Sequence, residues 1–205
     1  MSIDDIKIYL PKFLSAESEK ELFAGLKDFP NNIDGRLYTS YLKDSEIIYQ
    51  GDGLMDLLVV NLPSPEIKPA PSMILSNTCD IALQNLRNFP SQVVYAPIFN
   101  LKKYQDKLYI KSKNSKEQID SHIDSVRHQR VTQVFFLPKI EDKFEDSMVF
   151  FDRVCNFPNN LIERNNLKER RLFTLSDYGA YLFLLKLSIH FTRIKDTVER
   201  KSTSL

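Results

Sequence analysis

The chain has 205 residues, 42% of them hydrophobic and 27% charged, enough apolar material for one buried core with attached helices. Lys and Arg number 28 against 27 Asp and Glu, a formal charge of +1 that excludes a globally basic nucleic-acid binder but leaves room for a local patch. The five glycines form no phosphate-cradling loop of either common kind, which argues against a Rossmann or Walker-type nucleotide enzyme.

The first residues, MSIDDIKIYLPKF, mix acids and lysines with apolar residues and lack the apolar run of a signal peptide. The most apolar stretch, 178–194, is broken by Lys186, Ser188, His190, Thr192 and Arg193 and is too polar to span a bilayer. Cys79 and Cys155 lie far apart, and the three histidines (His122, His128, His190) are few for a metal site. The expectation is a cytoplasmic chain with no membrane segment, no metal and no cofactor.

Taken in chain order, Ser18 and Glu21 have capping-box spacing, and Leu22, Phe23, Leu26 and Phe29 give a helical apolar face closed by Pro30. Residues 46–62 turn strand-like, punctuated at Gly51-Asp52-Gly53, and four prolines between 63 and 71 predict a stiff loop. SMILS (72–76) and QVVYAPIF (92–99) read as buried strands. Residues 102–116 read as a lysine-rich link, and Ser115 with Gln118 caps a short helix whose face is Ile119, Ile123 and Val126. VTQVFFLP (131–138) and SMVFFDRVCNF (147–157) are strands joined by an acidic turn. RLFTL then leads into a long helix capped by Ser176, apolar nearly all round from Ala180 to Leu185 and expected to pack centrally. These elements predict an α+β fold with a small curled sheet or open barrel. The parts are an N-terminal helical extension (1–45), a barrel-like core with an inserted helix at 115–127 (46–175), and a C-terminal helix packed on the core (176–205).

The order QGD, strand, proline-rich loop, PSMILSN and VVYAPI over residues 49–100 resembles the PemK/MazF/Kid toxin family. That resemblance implies an SH3-like open β-barrel. It also marks a departure: where the ribonuclease toxins carry an arginine before the strand-two proline and a threonine ending strand three, this chain has Ala70 and Phe99. The toxin reaction therefore does not transfer. SNTCD (76–80), Arg130 leading to Pro138, and FDRV (151–154) are in turn similar to a group of uncharacterised bacterial proteins found near mobile or defence genes. They imply a toxin–antitoxin-like or antiviral context and no chemistry.

Candidate site residues fall in four places. Ser76, Asn77, Cys79 and Asp80 follow an apolar strand, where loops present polar groups from a rigid base. Cys79 reads either as a nucleophile needing an outside cation or as a small core hydrophobe, and Asp80 as an ionic partner for an arginine. Arg127, His128 and Arg130 could hold a phosphate and move a proton, or could simply neutralise a helix C-terminus. Residues 102–130 hold eight Lys or Arg against four acids, Lys102 and Lys103 among them, with Tyr104 and Tyr109 as candidate stacking surfaces or, equally, a solvated loop. Arg153 reads as a mid-strand arginine that needs Asp80 or Asp52 as partner. The function expected is a nucleic-acid or partner-binding module, with RNA, DNA or a nearby-encoded protein as partner and a homodimer as candidate assembly. The alternatives are a metal-independent ribonuclease-like effector using Asp80 and His128 with arginines, and a non-catalytic interaction component of a multi-gene defence system.

Overall fold

The computed structural model describes residues 33–85 and 87–192, with positions 20, 24 and 29 besides. Its helices are α1 (Ile33–Arg36), α2 (Thr78–Ile81), α3 (Leu101–Lys111), α4 (Lys116–Arg127), α5 (Leu167–Arg170) and α6 (Asp177–Thr192). Its strands are β1 (Tyr38–Thr39), β2 (Gly53–Val60), β3 (Ile67–Ile74), β4 (Gln92–Asn100), β5 (Val134–Leu137), β6 (Ser147–Phe150), β7 (Cys155–Pro158) and β8 (Arg171–Leu175). The described residues form a mixed α+β fold on one open antiparallel sheet ordered β1-β8-β2-β3-β4-β6-β5, with β7 also beside β4.

Both faces of the central strands are covered, and side-chain alternation shows how. On β3, Met73 enters a core with Ala96, Phe135, Phe151, Phe173 and the α6 residues Tyr181, Leu182 and Phe183. Its neighbour Ile74 points the other way, to Leu54, Leu57, Val93, Tyr95 and Leu167. On β5, Phe135 and Leu137 join the first core, whereas Val134 and Phe136 meet Ile119, Ile123 and Val126 of α4. The sheet curls to close the second core. The Tyr95 hydroxyl on β4 donates to the Leu58 carbonyl on β2, and Cys155 Sγ on β7 lies 4.0 Å from the Val60 carbonyl.

Several sequence expectations hold. The strand at 92–99 forms as β4, and α4 carries the full capping box of Ser115 with Gln118. Ser176 Oγ accepts from the Gly179 N–H at 3.0 Å, so α6 starts where expected and buries Tyr181, Leu182 and Phe183. The helix expected up to Phe29 and the chain beyond Thr192, Arg193 included, lie outside the described residues save positions 20, 24 and 29. Tyr38 and Thr39, inside the segment assigned to the extension, pair with Leu175 and Thr174 of the sheet.

Three expectations are corrected. The proline-rich loop ends early, because β3 begins at Ile67 and contains Pro69 and Pro71. The Ile74 N–H bonds to Asp52, so alternation turns Pro69 and Pro71 away from β2, toward a side where β4 pairs only from Ser72. Their missing N–H groups therefore break no ladder bond. The lysine-rich link is the helix α3, opened by Asn100 Oδ1 accepting from the Lys103 N–H at 2.8 Å, with Leu101, Tyr104 and Leu108 as its inner face. Lysine, leucine and glutamine are good helix formers once such a face has something to cover. Finally, 147–157 is not one strand. β6 pairs with residues 98–100 of β4 and β7 with residues 92–95, and the chain breaks between them, with Phe151 in the core and residues 152–154 exposed.

Two buried cations pin loops to this frame. Arg171, on β8, lies 3.3 Å from Asp52 with both side chains almost fully enclosed, and donates to the carbonyls of Leu42 (3.0 Å), Lys43 (3.3 Å), Ser45 (2.8 Å) and Ile47 (2.5 Å). The Tyr49 N–H completes the cradle at 2.9 Å from Asp52 Oδ2. Burial pushes the Asp52 carboxyl up, against the downward pull of that N–H and of Arg171. Gly51 sits in the same turn at φ 88°, and a Cβ there would come within 2.6 Å of Leu175 Cδ1, so the turn requires glycine. Lys186, on α6, donates to Gln129 O (2.9 Å), Gln129 Oε1 (2.8 Å), Val131 O (3.0 Å) and Val134 O, with no carboxylate among these partners. Burial lowers its amine to about 7.

Candidate functional site

The residues singled out in the sequence separate into distinct places. Ser76 leaves β3 with its Oγ accepting from the Val94 N–H at 2.7 Å, which fixes the chain exit from the sheet. Asn77 then caps the single turn α2, its Oδ1 accepting from the Cys79 N–H at 2.9 Å. Cys79 is exposed on that turn. Asp80, one residue on, forms an exposed ion pair with Arg87 across the loop. Ser76, Asn77, Asp80 and Arg87 form the polar side of a cleft of about 440 Å³ whose apolar side is Val154, Leu187 and Phe191. Arg87 was invisible to sequence reading, since a seven-residue loop with no spacing signature carries it back to Asp80.

His128, Arg127 and Arg130 lie at the end of α4. The His128 Nδ1 is 2.9 Å from the Asp124 carbonyl and 3.2 Å from its carboxylate, an i,i+4 arrangement on one helix face. Arg127 pairs with Asp146 and covers the Phe136 ring at 5.7 Å. Arg130 is exposed, and its backbone N–H closes the turn on the Ser125 carbonyl. No hydrogen bond or ion pair among the described residues joins His128 or Arg130 to Asp80; His128 is engaged by Asp124 on its own helix and Asp80 by Arg87 in its own loop.

Arg153 corrects a specific expectation. It is not an inward mid-strand arginine paired with Asp52 or Asp80, because Asp52 belongs to Arg171 and Asp80 to Arg87. It sits in the turn between β6 and β7, exposed, with its guanidinium over the rings of Phe150 (4.6 Å) and Phe99 (5.0 Å). Phe99 thus lies beneath a cation at the place where the toxin resemblance would have a threonine.

The basic stretch gains most from being folded. Six lysines stand against one acid in residues 101–116. The helical turn puts Lys103, Lys107 and Lys111 four residues apart in one exposed row about 12 Å long. Neighbouring acids are occupied: Asp106 by Lys102 at 3.0 Å, Asp124 by His128, and Asp120 by the Tyr109 hydroxyl and by Gln105 Nε2 at 2.9 Å. The bond to Tyr109 holds the Asp120 carboxyl below its ordinary range and pushes the phenol up. Tyr104 is half-buried, with its hydroxyl 3.1 Å from His122 Nε2 and its ring edge-on to Phe150. Through their hydroxyls both tyrosines bind α3 to α4.

Among the described residues no group of three or more His, Cys, Asp and Glu could hold a metal ion, and no helix is long and apolar enough to cross a membrane. What the fold and these sites define is an α+β protein with a curled antiparallel sheet and a basic helical hairpin on its flank. No protein-family model and no curated protein matches the chain.

Proposed function

We propose that the protein binds single-stranded RNA or DNA along the exposed edge of α3, as a non-catalytic module. The observation that carries this reading is the row of Lys103, Lys107 and Lys111, exposed along one edge of α3 and joined to no carboxylate by an ion pair among the described residues, while Asp106 is taken by Lys102. Ammonium groups in a row release counterions from a phosphate backbone without reading its sequence. The reading of the sheet as an SH3-like barrel of the PemK/MazF kind rests on the resemblance over residues 49–100. Ala70 and Phe99 in place of the toxin catalytic groups favour binding over cleavage. The ribonuclease-like alternative needs Asp80 and His128 at one phosphate, and their separate partners give it no support. The defence or toxin–antitoxin-like setting rests on the resemblance alone.

The test is fluorescence anisotropy of labelled single strands over a salt series. The wild type should bind at low salt, with a log–log salt slope steeper by about 2 than that of Lys103→Ser/Lys107→Ser/Lys111→Ser, since about 0.7 counterions are released per neutralised phosphate. Equal slopes for the two proteins, or no binding at low salt, would end the proposal.

A second reading, docking of a protein partner or a second copy, is favoured by the apolar side of the Asp80 cleft, where Phe191 is 66% exposed, and by Phe89, which is 81% exposed. Light scattering after size exclusion, with the wild type and Phe191→Ser, checks it. A mass that drops toward the monomer in the variant supports it.

A further inference from the structure

A second basic region lies where β1 and β8 meet the turn between β5 and β6. A cavity of about 480 Å³ opens there, walled by the half-buried Tyr38, Ile140 and Leu172. Four cations line it, Lys43, Lys143, Lys168 and Arg171, and no carboxylate does. Arg171 is committed to Asp52 beneath, and Lys168 pairs with Asp44 at 2.6 Å, just outside the lining. The Asp44 carboxyl is held below its ordinary range by Lys168 first and by Lys43 after it. The Lys143 ammonium donates to the Leu172 carbonyl at 3.2 Å, which positions it and leaves two of its protons free. The turn acids Glu141, Asp142 and Glu145 are exposed and do not line the cavity. Lys43, Lys143, Lys168 and Asp44 therefore sum to two positive charges at the mouth.

We infer that this cavity binds a phosphate monoester, carried by a free nucleotide or by the end of a nucleic-acid strand. A monoester is close to a dianion at neutral pH and so matches that charge. Its three terminal oxygens can accept from Lys43, from Lys143 and from the Thr39 hydroxyl, which accepts from the Tyr41 N–H at 3.2 Å and keeps its own proton. The attached group then lies against Tyr38, Ile140 and Leu172. The volume is within the range of small-ligand pockets. The inference stands apart from the α3 reading, which concerns internal phosphates of a strand and uses other residues.

The experiment is calorimetric titration of the full chain with inorganic phosphate, adenosine 5′-monophosphate and adenosine, followed by a pair of otherwise identical oligonucleotides with 5′-phosphate or 5′-hydroxyl ends. Adenosine monophosphate should bind and adenosine should not. Lys43→Ser/Lys143→Ser should weaken monophosphate binding roughly tenfold or more. Lys103→Ser/Lys107→Ser/Lys111→Ser should leave it unchanged, which separates failure of this site from failure of the α3 row. Lys143→Arg should retain most of the binding. A gain from the 5′-phosphate that disappears in the Lys43/Lys143 variant assigns the strand end as the source; monophosphate binding without such a gain assigns the free nucleotide. No heat from any phosphate at millimolar concentration, or full binding by the Lys43/Lys143 variant with its melting curve intact, overturns the inference.

Discussion

Arg171 and Lys186 are both buried cations that hold a loop to the sheet, yet they are compensated in different ways. Arg171 has a carboxylate, Asp52, and a fan of four carbonyls from residues 42–47. Lys186 has only carbonyl and amide oxygens from residues 129–134. A guanidinium stays charged wherever it is put, and the almost fully enclosed Arg171 is offset by a full opposite charge on Asp52. An amine can give up its proton, so dipoles suffice and its pKa falls instead. The same fold tolerates the two solutions because one cation is fixed and the other is titratable.

The largest effect should come from breaking the full ion pair. Arg171→Met leaves Asp52 buried without its cation and is expected to cost about 3–5 kcal/mol in urea unfolding. Adding Asp52→Asn should recover part of that loss; if it recovers nothing, the carbonyl fan and not the ion pair supplies the stability.

Lys186→Met should cost less, about 1–3 kcal/mol, by leaving the oxygens of Gln129, Val131 and Val134 without their donor. Here the comparison sharpens with pH. In the unfolded chain the amine keeps its proton up to its ordinary value of 10.5, whereas in the folded protein it loses it at about 7. The unfolded state thus binds more protons between these values, and stability conferred through Lys186 must rise with pH across that window, by at most about 1.4 kcal/mol per pH unit. Urea unfolding of the wild type and Lys186→Met at pH 7, 8.5 and 10 should show their difference growing in favour of the wild type. A difference that stays flat would mean the four oxygens hold the ammonium charged throughout.

The smallest effect belongs to the exposed pair. Arg87→Ala removes the partner of Asp80, whose side chain is 58% exposed, and should change stability by less than about 1 kcal/mol in thermal unfolding. A loss as large as that of Arg171→Met would show that the loop carrying Arg87 is a structural element of the cleft.

The candidate sites were legible only in part. Asp80 was identified as an ionic partner for an arginine, but the arginine is Arg87, because loop closure and not spacing brings it back. An inward Arg153 presupposes an unbroken strand; once the strand breaks after Phe150 and residues 152–154 are exposed, the side chain finds aromatic faces in place of a carboxylate. The lysines around the β1–β8 cavity come from three separate segments, at 43, 143 and 168, and no local pattern links them. The row on α3 was present in the sequence as a lysine count and became a row only with the helical period.

By itself the sequence determined those elements whose signals are local: the capping box that starts α4, the apolar run of α6, and the strands β4 and β5, each set by hydrogen bonds and side-chain periodicity within a few residues. Tertiary structure decided the rest. It turned a proline-rich stretch into β3 by leaving one edge of that strand unpaired at the prolines, and it gave α3 an inner face to cover. It also took a chain whose charges nearly cancel and sorted them, pairing Asp106 with Lys102 and leaving Lys103, Lys107 and Lys111 exposed on one edge of α3. Charge balance is a property of the sequence, but which charges are neutralised depends on distance, and distance is set by the fold.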